Sequence, residues 1–136
     1  MATFGAMDVG RTGLGFSQHW MDQIGHNLAN TNTVRGPEEE PFRQRLAVAE
    51  SLTDEIVDTG SGVHLAGVIE DQRDPVETYE PQHPQADEDG FVAQPVVDMA
   101  GQMSDMMQAQ RGYQASARTI DTAREAYESA LRIGQQ

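Results

Sequence analysis

No proline follows Pro95, and beyond it the apolar residues fall into a long regular register. Met99, Met103, Met106, Gln110, Tyr113, Ala117, Ile120, Arg124, Tyr127 and Leu131 are spaced alternately four and three apart, and only Gln110 and Arg124 interrupt the apolar run. A 4/3 alternation is a heptad seam, which keeps facing one partner when the helix supercoils slightly. At ~1.5 Å per residue, a helix of about 39 residues is a rod roughly 58 Å long, far longer than an ordinary globular helix. Gly134 stands just past the last seam residue, where a C′ glycine is expected, and Arg132 suits the negative end of the helix dipole. The ordinary alternative is a long helix packed inside one globular domain.

The first 30 residues repeat the pattern. Met7, Gly10, Leu14, Ser17, Met21, Ile24 and Leu28 alternate by three and four, with small residues at two of the seven positions. Gly5, Gly10, Gly13, Gly15 and Gly25 each cost about 1 kcal/mol against alanine in a helix interior, so this helix depends on packing. Close helix–helix approach accounts for the small residues, and so does plain fraying. His26 to Thr33 is rich in asparagine and threonine, whose side chains compete with helical hydrogen bonds; it reads as a helix exit. Val34 to Pro41, with the acidic Glu38-Glu39-Glu40, reads as an exposed loop.

The middle has the other periodicity. Gln44, Leu46 and Val48 alternate with Arg43, Arg45 and Ala47 as in a half-buried strand. Val63 to Ile69 is a second strand, introduced by a turn at Gly60-Ser61-Gly62, and Val76 to Tyr79 adds a short extended piece. Pro81, Pro84 and Pro95 predict an extended, exposed run from 80 to 95. The expected fold is mainly α: terminal helices over 1–30 and 96–136 pair as an antiparallel coiled-coil-like hairpin, with residues 31–95 as a small extended or β insert. The expected contacts put Ile24 or Leu28 near Met103 to Gln110, and Met7 or Leu14 near Ile120 to Leu131. Ile120 and Leu131 are expected to be buried on assembly. The shorter N-terminal pattern should cover little more than half of the C-terminal rod.

Chemistry is sparse. His19 and His26 lie seven apart beside Asp22, whereas helical metal sites space their ligands three or four apart. Asp87-Glu88-Asp89-Gly90 has the look of a calcium loop, yet with Gly90 at loop position six the first and twelfth positions are Gln85 and Val96, neither a carboxylate. Gly10-Arg11-Thr12-Gly13-Leu14-Gly15 lacks a preceding strand and the Lys-Ser/Thr ending of a phosphate loop. Glu38 and Glu40 read as solvated carboxylates. No catalytic residue, metal or cofactor is expected. A net charge of −13, with nine arginines and no lysine, argues against nucleic acid and anionic membranes. Without cysteine there are no disulfides or thiolate sites, and no apolar run is long enough to span a bilayer. The first residues show neither a basic n-region nor an apolar core, so no cleavable signal peptide is expected. Read from residues alone, the chain is a non-enzymatic helical protein built to associate; a cytosolic helical adaptor, such as a secretion chaperone holding a client on these seams, is the alternative.

Four groups of residues carry a resemblance. Asn27-Leu28-Ala29-Asn30 with Thr33 is similar to the N-L-A-N-x-x-T signature of flagellar rod and hook proteins, and Gly36-Pro37 through Pro41-Phe42-Arg43 resembles a G-P-x-x-x-P-Y/F-R stretch of a proximal-rod member. Tyr79-Glu80-Pro81, Pro84, Ala86-Asp87 and Gly90-Phe91-Val92 resemble its Y-x-P-x-x-P-x-A-D-x-x-G-Y-V segment. Gln102-Met103, Arg111 to Ala115 with Tyr113, and Gly134 resemble its E-M, R-x-Y-x-A-N and L-x-x-G pattern; Pro95-Val96-Val97, Gln102 and Ser116 depart from P-N-V, the glutamate and the asparagine. The resemblance spans nearly the whole chain. It implies a subunit of the flagellar basal-body rod, exported unfolded by the type III apparatus to the cell envelope. There the terminal helices pair in the wall of a hollow, torque-transmitting helical shaft. Its neighbours would be copies of itself, other rod proteins and the adaptor to the membrane ring.

Overall fold

A computed structural model describes residues 2–36, 39–54 and 57–134. Two helices, α1 (Ala2–Ala29) and α2 (Met99–Ile133), enclose four strands: β1 (Arg45–Asp54), β2 (Val57–Glu70), β3 (Val76–Tyr79) and β4 (Phe91–Gln94). The expected insert is thus two antiparallel pairs, β1 with β2 and β3 with β4.

Helix α2 starts at Asp98, whose side chain accepts from the Gly101 N–H at 3.1 Å and satisfies one of the donors a helix start leaves free. It ends at Gly134 in a right-handed conformation (φ −76°), its N–H donating to Ala130 O. The expected glycine is therefore present, but this end does not need its left-handed freedom.

The contacts between the helices run in opposite order along α1 and α2. Asn27 bonds Gln102 near the start of α2, Ser17 meets Gly112, Gly13 meets Ser116, and Gly10 meets Ser116 and Ile120. Met7, Leu14, Met21 and Leu28 are half-buried, while Gly10, Ser17 and Ile24 between them are buried. At this register α1 lies alongside most of α2, more than the half expected, because the helix begins at Ala2 and all five glycines stay helical.

On α2 the buried row is Gln102, Ala109 and Ala123, with Ser116 half-buried at the intervening heptad position. That row is one residue before Met103, Gln110, Ala117 and Arg124 of the expected seam. The seam is therefore rotated: Met106 and Ile120 are half-buried, Ala117 likewise, but Met99, Met103, Tyr113, Tyr127 and Leu131 are exposed. The physical reason is size. A Cβ on Gly10 would stand 2.7 Å from Ile120 Cγ1, and one on Gly13 2.5 Å from Ser116 Oγ, so close approach selects small side chains here and turns the bulky ones outward. No atom lies within 4 Å of a Cβ at Gly5, Gly15 or Gly25.

The β1–β2 hairpin is longer than expected, and Gly60-Ser61-Gly62 lies inside β2 instead of forming its entry turn. A register shift between Leu52 and Thr53 bulges β2 at this point, where Gly62 has φ +119°. Thr12 of α1 fills the space a side chain at Gly62 would take. Its Oγ1 accepts from the Val63 N–H at 3.2 Å and donates to Val9 O at 2.8 Å, fastening the hairpin to α1. The run 80–95 is neither extended nor exposed throughout: it turns back on itself, and β4 pairs with β3 and buries Val92. Pro37 and Glu38 lie outside the described residues.

Candidate assembly surfaces and the joint that frames them

Asn27 is 1% exposed and uses its whole amide. Its Nδ2 donates to Arg45 O and to Gln102 Oε1, both at 2.7 Å, and its Oδ1 accepts from the Arg45 N–H at 2.8 Å. One side chain thereby ties α1, β1 and α2 together, and a buried amide is tolerated because its donors and acceptor are paired. Gln102, which replaces the glutamate of the resembling motif, still supplies an acceptor.

One turn on, Asn30 closes the helix: its Nδ2 donates to His26 O at 2.8 Å, and its Oδ1 accepts from Thr33 Oγ1 at 3.1 Å. Thr31 Oγ1 donates to Asn27 O at 3.2 Å. Asn27, Asn30 and Thr33 therefore each make a bond at the exit, whereas Leu28 is half-buried and Ala29 exposed.

The hairpin root is held a second time. Asp71 N–H donates to Gln44 O, the Arg43 guanidinium donates to the carbonyls of Asp71 and Arg73, and Asp71 pairs with Arg73. The hydrogen bonds from Arg73 hold the Asp71 carboxyl below its ordinary pKa. Beyond it, Asp87 Oδ1 accepts from the N–H groups of Asp89 and Phe91 and shapes the β3–β4 turn. Gly90 there has φ +85° and lies against Tyr79 and Pro81, so the Pro81-to-Gly90 motif is a packed turn; Pro84 is exposed at a turn and Pro95 half-buried after β4.

Among the described residues the remaining titratable groups converge on no centre. His19 is exposed, His26 stacks obliquely on Phe42, and His64 pairs with Glu50 across the hairpin at 3.5 Å. His83 Nδ1 accepts from the Gln85 N–H. Among the described residues no three His, Asp or Glu side chains converge as a metal site, and no helix is long and apolar enough to cross a membrane. Glu40 is exposed.

What the molecule does present is apolar surface. Along α2, Met99, Met103, Met107, Leu131 and Ile133 are 46%, 53%, 53%, 47% and 78% exposed, and Tyr113 and Tyr127 are also open to solvent. Arg111, between Met107 and Tyr113, is exposed as well. The chain exposes 9625 Å² in all, against about 7,000 Å² for a compact monomer of its mass. The sequence put Met99 and Met103 in the seam, not on the outward face where they stand. It did not show Gln102 as the partner of Asn27, Asp98 as the cap, or Thr12 as the hairpin's anchor; of these only Asp98, an Asp directly before the apolar run, left a signal that could have been read.

Residues 88–133 match the family model described as flagellar basal body rod FlgEFG protein C-terminal. The chain is 34% identical to the flagellar basal-body rod protein FlgC of Salmonella typhimurium, over 99% of this chain and all of that protein. It is 31% identical to FlgC of Borreliella burgdorferi over 99% of both chains, and 26% identical to FlgC of Bacillus subtilis over 99% of this chain and all of that one.

Proposed function

Because the chain belongs to the FlgC family of flagellar basal-body rod proteins, it is a structural subunit of the basal-body rod and not an enzyme, and we propose that it is built in through the outward side of its helix pair. The observation that carries this is the division of labour on α2. Small and polar residues at Gln102, Ala109, Ser116 and Ala123 serve the contact with α1, leaving Met99, Met103, Met107, Tyr113, Tyr127 and Leu131 for neighbouring subunits. Methionine and tyrosine suit such a surface, since they fill irregular gaps and bury large areas.

The helices act as an antiparallel coiled-coil-like hairpin; the opposite order of their contacts, and the seven-residue spacing of Gly10, Ser17 and Ile24 against Gln102, Ala109, Ser116 and Ala123, support this. Self-association continues as a non-closing contact along a screw axis, which produces a shaft and not a ring. The other partners are further rod proteins, the adaptor to the membrane ring and, before assembly, the type III export apparatus that delivers the chain to the periplasmic space.

A Met103→Asp variant tests the outward row. It is expected to keep its helical circular dichroism and to vanish from purified basal bodies. Normal incorporation with restored motility would remove this face from the assembly contact.

A further inference from the structure

The charge of this protein is segregated. Helices α1 and α2 together carry six acidic and five basic residues, whereas residues 30–98 carry 16 acidic residues and four arginines. Nearly all of the net charge of −13 therefore sits on the insert. The same insert bears an uncovered apolar patch. Leu46 is in register with Ile69, and Val48 with Gly67, so these residues share one face of the hairpin, where Leu46, Val48 and Ile69 are 39%, 37% and 55% exposed. Glu50 and His64 continue that face.

We infer that this face of the β1–β2 hairpin docks on the positively charged surface of a different protein, with Leu46, Val48 and Ile69 at its centre. The inference rests on the rod-subunit reading. Electrically balanced helices can pack on copies of themselves without mutual repulsion. Two inserts of this charge cannot be brought face to face without opposing like charge, which disfavours the wrong partner more strongly than it rewards the right one. A lysine- and arginine-rich neighbour removes that repulsion and covers the apolar centre. Hydration alone would satisfy the carboxylates but would leave the apolar face in water.

The chain has no cysteine of its own, so a benzophenone can be placed at a single site. Ile69→Cys and Met103→Cys proteins, each labelled, are assembled into basal bodies, irradiated, and their crosslinked peptides sequenced. From position 69 the expected product is a peptide of another protein with more Lys and Arg than Asp and Glu. Crosslinks to a second copy of this chain, to an acidic or neutral peptide, or to nothing while position 103 still crosslinks would overturn the inference and leave the rod reading intact. Absence of both labelled chains from basal bodies would sink both. Adding a Glu50→Arg substitution on the labelled face should reduce the crosslink from position 69 while leaving that from position 103; an undiminished crosslink would mean that charge does not choose the partner.

Discussion

At the scale of the residue, Asn27 shows how much can depend on one amide. Replacing it with alanine leaves the Arg45 N–H, the Arg45 carbonyl and Gln102 Oε1 without this partner at a nearly dry position. The expected loss is about 3 kcal/mol of stability, read by urea denaturation. Asn27→Asp should fare no better, since a carboxylate can accept from Arg45 but cannot donate to the other two oxygens. A Gln102→Ala change combined with Asn27→Ala should cost less than the two separate losses added, because both remove one shared bond; strict additivity would mean that the two amides do not act together. The glycines make the opposite point about context. Gly15→Ala fills open space in a helix interior and should stabilise by about 1 kcal/mol. Gly10→Ala should destabilise, because its methyl meets both Ile120 and the Ser116 carbonyl. If thermal melts moved the same way for both, helix propensity alone would explain the N-terminal glycines.

At the scale of the element, the hairpin root offers a pH test. Asp71 has its pKa lowered by the hydrogen bonds from Arg73, so its contribution is present above the ordinary carboxylate range and is lost as pH falls through the lowered folded value. Acid titration of Asp71→Asn should therefore show a shallower loss of stability at the acid end and no change in slope near neutrality. Elements of this kind were legible in the sequence to different degrees. Both helices could be read, because 3/4 periodicity over many turns is an unambiguous local signal. The rotation of the α2 seam could not, since periodicity counts apolar bulk, whereas Gly10 and Gly13 reward its absence. Strands β1 and β2 were found but placed short, because Gly60 and Gly62 look like a turn until Thr12 from a distant helix explains the bulge. Strand β4 was hidden by the prolines around it. In the joint, Asn27, Asn30 and Thr33 were recognisable as a motif, but their bonds are long-range facts: Gln102 lies 75 positions away.

At the scale of the whole molecule, the paired helices make a covalent test possible. A Cβ on Gly112 would lie 3.2 Å from Ser17 Oγ, which suits a disulfide. Ser17→Cys with Gly112→Cys should oxidise within one chain and run as a monomer on a non-reducing gel; a dimer ladder would show that the helices pair between chains. Close approach also has a calorimetric consequence. Among the described residues the buried hydrophobics are Ile24, Val92, Ala109 and Ala123, two of them alanines. Unfolding such a monomer hydrates little new hydrocarbon, so its heat capacity increment should fall below the usual ~12–15 cal/mol/K per residue. A small increment flattens the curve of stability against temperature, and the melting endotherm of the free subunit should be broad and shallow. Once neighbours cover the outward methionines and tyrosines, the same polypeptide should acquire the sharp transition of a protein with a deep interior.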